Sequence, residues 1–256
     1  MSWSEAHGTV SRAFDDWRKV DAENRAFLKL TSQWSAEAYE RQWKQAEDAL
    51  SDVFDPEIHY GDEHVDIFDD AVGGLWPFSH QWMVEASVLK NGVTAFEVYL
   101  EKAAQEVVKG WSVTFKDGRG THRLSLKAPK GFTSPGWKTL VTAHTVLGST
   151  VETLDIEWAR DLRHLLTHQN GELRDEETLE KFRDTDAEAD TDALHHAHVG
   201  DRVHLGVERV VGVLDKLASV VRHADVAVYA YVWGGKRQQV PLNELHTAKC
   251  LEFIAE

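Results

Sequence analysis

The longest regular pattern in the chain lies between residues 80 and 108. Trp82, Ala86, Leu89, Val93, Phe96, Leu100 and Ala103 follow one another by four or three residues. Steps of that size return to one face of a 3.6-residue helix, so they form a continuous apolar stripe and predict a long helix with a buried side. Ser79 offers an N-cap hydroxyl. Gly92 falls inside the run, where glycine costs roughly 1 kcal/mol relative to alanine and does not break a helix this long.

Other stretches carry shorter versions of the same signal. Over 9–52, Trp34, Ala38, Trp43, Ala46 and Leu50 recur at near-helical spacing between charges, as one bent helix or two. A helix is predicted from about 150 to 168, with Ser149 and Glu152 at capping-box spacing and Val151, Leu154, Trp158, Leu162 and Leu165 facing inward. Asn170-Gly171 stops it. A last core helix is predicted over 205–223 from Leu205, Val210, Leu214, Leu217 and Val221.

Period-two alternation marks two places. Trp111, Val113 and Phe115 alternate with Ser and Thr, then Leu124 and Leu126 alternate after a Lys-Asp-Gly-Arg-Gly turn, which predicts a hairpin over 111–128. Val226, Val228, Ala230 and Val232 alternate before Gly234-Gly235 and predict a C-terminal hairpin. Residues 53–78, 129–138 and the acidic 172–192 read as irregular, the last as a loop or short helix. The expected architecture is mainly α, with an N-terminal helical arm over 1–72, a helical domain over 73–225 carrying a basic hairpin insertion at 109–140, and a C-terminal hairpin over 226–256.

Composition narrows the function. A hydrophobic fraction of 42% and ten tryptophans supply a core, so wholesale disorder is excluded. No run of about 18 apolar residues exists and the N-terminus lacks a signal-peptide pattern, so no membrane association is expected. The single cysteine, Cys250, forms no internal disulfide; it reads as a small core residue and fits a reducing cytoplasm. The net charge of −15 excludes a protein whose whole surface coats nucleic acid. The charge is uneven, however. Residues 107–144 hold seven Lys and Arg against Asp117 alone.

Four groups of residues invite a chemical reading. Gly131 to Lys138 imitates a phosphate-binding loop, but Trp137 separates the second glycine from the lysine and no strand leads in, so the loop is ordinary. His59 and His64, and His195, His196 and His198, lie in polar, acidic surroundings and read as solvated rather than as metal ligands. His164 and His168 have zinc-ligand spacing, yet the intervening Leu-Leu-Thr lacks the acid of a metalloprotease motif. No metal or other cofactor is expected. The fourth group is Arg163-His164-Leu165-Leu166-Thr167-His168, which closes an apolar helix and follows a long helix bearing Glu97.

An Arg, a polar residue, three more residues and a His at a helix end resembles the signature of HEPN domains. The helix 80–108 resembles the first core helix of that family, and 205–223 its last. The resemblance covers about residues 79–224 and implies a HEPN-like helical bundle, here with two minor β-hairpins. It further implies a homodimer in which the motif helices meet across a two-fold. Arg163 and His168 would be the catalytic pair, with His164 and Glu97 in support. The activity implied is metal-independent RNA cleavage by 2′-OH attack, leaving a 2′,3′-cyclic phosphate, as in toxins or antiviral effectors. An antitoxin or sensor partner is compatible with it. A non-catalytic dimeric scaffold, sensor or immunity protein is the alternative the same resemblance allows. Arg119, Arg123 and Lys127, interleaved with Trp111, Phe115, Phe132 and Trp137, are the candidate RNA-binding residues.

Overall fold

A computed structural model describes residues 10–51, 80–114, 121–182 and 198–255. Among these, seven helices are α1 (Arg12–Ser51), α2 (His80–Val108), α3 (Trp137–Val146), α4 (Leu154–His168), α5 (Glu176–Phe182), α6 (Val207–Val232) and α7 (Leu242–Thr247). The strands are β1 (Ser112–Thr114), β2 (Thr121–Leu126) and β3 (Leu251–Ala255). The fold is mainly α, as the sequence pattern predicts. The Ser79 cap, residues 53–78, Phe115, Arg119, His59, His64, His195 and His196 lie outside the described residues.

The chain divides into two compact units. One is built from Met1–Glu23, Leu89–Gly171 and Val211–Glu256; the other from Asn24–Val88 and Glu172–Val210. In the second unit, the Trp82 indole donates to the Val203 carbonyl at 2.9 Å, and Arg202 lies over the same ring. Glu85 accepts from Gln81 and from the Gly206 amide, so this buried carboxylate is hydrogen-bonded on both oxygens. Trp82 itself is only half-buried.

The first unit holds the longer core. Leu89, Val93, Phe96, Leu100 and Ala103 of α2 are buried, so the stripe read from the sequence is the packed face. A Cβ on Gly92 would meet Leu214 of α6 at 2.3 Å, so glycine lets this leucine approach the α2 backbone. Partners outside the helix also satisfy the start of α1. Ser11 Oγ accepts from the Phe14 amide as an N-cap, and Glu106 accepts from the amides of Arg12 and Ala13. Asp225 in turn accepts from the Ser11 amide and hydroxyl and from the Tyr99 hydroxyl. Burial pushes the Asp225 carboxyl up, against these donors, which pull it down.

Five expectations need correction. On α1 the buried face runs through Ala13, Trp17 and Leu28, and Trp34 is 61% exposed. Residues 137–146, partly read as loop, form α3, whose Leu140, Ala143 and His144 are buried at helical spacing. Helix α4 starts at Leu154, not 150, because Thr153 is its N-cap and accepts from the Ile156 amide; Ser149 instead bonds the His144 carbonyl. Leu154 is therefore 84% exposed, while Ile156, Ala159, Leu162, Leu165 and Leu166 face the core. Finally, 226–232 is not a strand. The positions Val221, Ala224, Asp225 and Val228 are buried at helical spacing, and α6 continues to Val232. No separate C-terminal hairpin forms there. Strand β3 adds to the β1–β2 hairpin, giving an antiparallel sheet of order β1-β2-β3 with Leu124 opposite Phe253.

Candidate functional site

The motif helix α4 ends where the sequence predicts. Gln169 caps it, and Asn170 and Gly171 take positive φ of 52° and 77°. The Gly171 amide bonds back to the Leu165 carbonyl at 3.2 Å, which closes the last turn. Leu162, Leu165 and Leu166 fix one face of α4 in the core. Arg163 sits at the border of that face, half-buried; His164 and His168 are exposed.

Arg163 donates from Nη1 to Glu97 Oε2 at 2.5 Å. The other oxygen, Oε1, accepts from Arg160 Nε at 2.9 Å. One carboxylate from α2 thus holds two guanidiniums one helical turn apart, leaving a local positive charge. Each of these side chains keeps between a quarter and a third of its surface exposed. The pair is worth at most about 1 kcal/mol at such exposure, so it positions side chains more than it stabilises the fold.

Arg160 is itself bracketed. Its guanidinium lies 3.8 Å from the Trp137 ring centroid, and the Trp137 indole donates to Glu152 at 2.7 Å. Phe96 packs beside the indole at 6.4 Å between centroids. A chain of contacts therefore runs from Glu152 through Trp137, Arg160 and Glu97 to Arg163. Trp137 is engaged here and is not a free stacking platform. Phe132, 73% exposed, keeps its ring open. Arg123 and Lys127 are exposed on and just after β2. Trp111 is half-buried, and Arg237 approaches its ring at 5.9 Å.

His164 and His168 face each other at 4.4 Å between ring centroids. His198 pairs with Asp201. Among the described residues, no three His, Cys, Asp or Glu side chains gather as a metal-binding group. Cys250 is buried, its Sγ 3.9 Å from the Thr139 carbonyl, and burial pushes its thiol up; these are properties of a packed residue rather than a nucleophile.

The sequence reading missed Arg160, Trp137 and Glu152 as members of this cluster. A signal for Arg160 existed: it precedes Arg163 by three residues, so both can reach one acid on a neighbouring helix. Trp137 and Glu152 are joined to it only by tertiary packing. Among the described residues, no helix is long and apolar enough to cross a membrane. In comparisons with known proteins, the chain matches no family model, no curated protein and no solved structure.

Proposed function

We propose that the chain is a HEPN-type, metal-independent endoribonuclease acting as a homodimer, with Arg163 and His168 as its catalytic residues. The observation that carries this reading is the placement of Arg163. Its guanidinium is held by Glu97 from another helix yet keeps a third of its surface open, on a helix whose exposed side presents His164 and His168. An arginine so oriented keeps donors for phosphate oxygens.

The chemistry follows from RNA itself. The ribose 2′-oxygen attacks the adjacent phosphorus, the O2′–P bond forms and the P–O5′ bond breaks. One imidazole takes the 2′ proton, and an imidazolium gives a proton to the leaving 5′-oxygen. The products are a 2′,3′-cyclic phosphate and a 5′-hydroxyl. Arg163 meets the charge that builds on the phosphorane oxygens. Arg163 and His168 lie on different sides of α4, and the two-fold of a homodimer would bring an arginine and a His168 from each copy to one phosphate. A toxin or defence effector is the setting in which such an activity would serve.

A dimeric scaffold without catalysis has one observation in its favour: Arg163 already has a carboxylate partner in Glu97. One experiment separates the readings. Purified protein is incubated with total RNA in EDTA, beside an Arg163→Ala/His168→Ala double variant, and the new ends are mapped. Cleavage by the wild type alone, with cyclic phosphate ends, supports the enzyme. Equal or absent cleavage in both rejects it, and a stable dimer without cleavage supports the scaffold.

A further inference from the structure

Three helix ends of the first unit converge on a cavity of about 550 Å³. They are the start of α1, the end of α2 and the end of α6. The volume falls within the roughly 300–1,000 Å³ of small-ligand sites. Its lining contains four cations and three carboxylates, but the carboxylates are unequally free. Asp16 is paired with Lys102 at 3.2 Å, and Glu106 is occupied by the two amides at the start of α1. Among the described residues, that leaves Arg12, Lys109 and Arg237 without a carboxylate partner and Glu101 as the uncommitted acid of the lining.

Two further features give the cavity a built character. Arg237 is not a loose surface cation. Its Nη2 donates to the Lys109 carbonyl at 2.7 Å, and its guanidinium lies 5.9 Å from the Trp111 ring centroid. Gly110, at φ +82°, makes room for it: a Cβ there would sit 2.9 Å from the same nitrogen. Trp233, 64% exposed, ends α6 at the cavity and presents a broad ring to solvent. An exposed indole beside a cationic cavity offers a π-face on which a flat aromatic occupant can stack.

We propose that this cavity binds a phosphorylated nucleotide unit, its base stacked on Trp233 and its phosphate held by Arg12, Lys109 and Arg237. Glu101 accepts from the ribose hydroxyls. Each part of such a ligand meets its complement: a π-face for the base, a cationic cluster for the phosphate and an acid for the sugar. The cavity shares no residue with the Glu97 cluster, so it stands whether or not the chain cleaves RNA. The same unit could come as a free nucleotide or as one residue of an RNA strand.

Calorimetric titration of the full chain tests this, using adenosine 5′-monophosphate, adenosine, inorganic phosphate and an all-ribose 5′-phosphorylated trinucleotide, the last compared with the monophosphate in the Arg163→Ala/His168→Ala protein so that it stays uncleaved. The titrations are repeated in the Arg163→Ala/His168→Ala protein, which should bind equally well. The monophosphate should bind at least about tenfold more tightly than adenosine or phosphate alone, because it engages both halves of the site. Trp233→Ala and Lys109→Gln should each weaken it by about tenfold, the second more at low salt. Both side chains are exposed, and unchanged circular dichroism verifies that the variants fold. Tighter binding of the trinucleotide than of the monophosphate identifies an RNA strand as the occupant, and weaker binding a free nucleotide. Absence of binding at millimolar ligand, binding no tighter than phosphate alone, or wild-type binding by both variants overturns the proposal.

Discussion

His144 should make the protein acid-sensitive near neutrality. The side chain is wholly buried in α3. Its Nε2 lies 3.0 Å from the Leu100 carbonyl and its Nδ1 3.2 Å from Ser149 Oγ. A carbonyl can only accept, so Nε2 carries the proton in the neutral ring and Nδ1 accepts from the Ser149 hydroxyl. If the ring were charged, Nδ1 would donate to Ser149, whose hydroxyl could turn to the His144 carbonyl at 3.1 Å. Both states find partners, so loss of solvent around the charge decides between them. Burial holds the imidazole below its ordinary value of 6.5, with the Leu100 carbonyl pulling weakly the other way. Below pH 6.5 the unfolded chain takes up a proton that the native chain refuses. Stability is therefore full above that value and falls as the pH falls. One such proton costs the native state about 1 kcal/mol over the first pH unit. His144→Gln keeps a donor near the position of Nε2 without a titrating group. Urea unfolding followed by tryptophan fluorescence should show the wild type losing about 1 kcal/mol relative to the variant over that unit. A difference that stays flat with pH refutes the reasoning.

The buried carboxylate gives the opposite slope. Burial raises Asp225 above its ordinary 3.8, so its contribution is complete below that value and is lost as pH rises through the raised one. Asp225→Asn should therefore gain on the wild type between mildly acid and neutral pH in urea unfolding, and a constant gap would count against it. On α4, Leu162→Ala should cost about 2–5 kcal/mol and Leu154→Ala less than about 0.5 kcal/mol by thermal unfolding; similar costs would mean the helix is rotated. Glu97→Gln frees Arg160 and Arg163 and should change stability by less than about 1 kcal/mol. Under the proposed function it should also lower RNA cleavage by more than about tenfold, so a variant cleaving at the wild-type rate would remove Glu97 from the machinery.

Where burial alone decides a side chain's position, the sequence is readable. Helix α2 packs a stripe along its length, and the pattern predicts both of its ends and most of its core positions. Pattern reading fails where β-branched residues crowd a helix. Residues 226–232 alternate valine with other apolar residues, which suits a strand equally well, and packing decides the outcome by burying Val228 and exposing Val226. Helix α3 is hidden in the same way, since Thr139, Val141, Thr142, Thr145 and Val146 favour strands while Leu140, Ala143 and His144 make the buried face. The cap of α4 shows a third cause. Ser149 and Thr153 both suit an N-cap, and Ser149 is drawn away by His144, a partner only the folded chain provides.

The candidate site divides along the same line. The Arg163 and His168 spacing is visible in the sequence, and so is its consequence. Five residues at about 100° each place the two side chains roughly 140° apart around α4. The structure adds what spacing could not: the Arg163 side of the helix is satisfied within the chain by Glu97, whereas the His164 and His168 side is left to solvent. One protomer holds the arginine still on one side of α4 and sets His168 beside His164 on another, about 140° away, so it does not bring guanidinium and His168 imidazole to one phosphate. Under the proposed function, a second copy must supply that juxtaposition on the exposed side of α4. Substitutions there, at His164 or Thr167, should weaken self-association before they disturb the Glu97 cluster, while Glu97→Gln should disturb the arginine and leave association intact. Sedimentation of the two classes of variant at equal concentration separates these effects, and a chain that sediments as a monomer at micromolar concentration leaves the composite site without its second half.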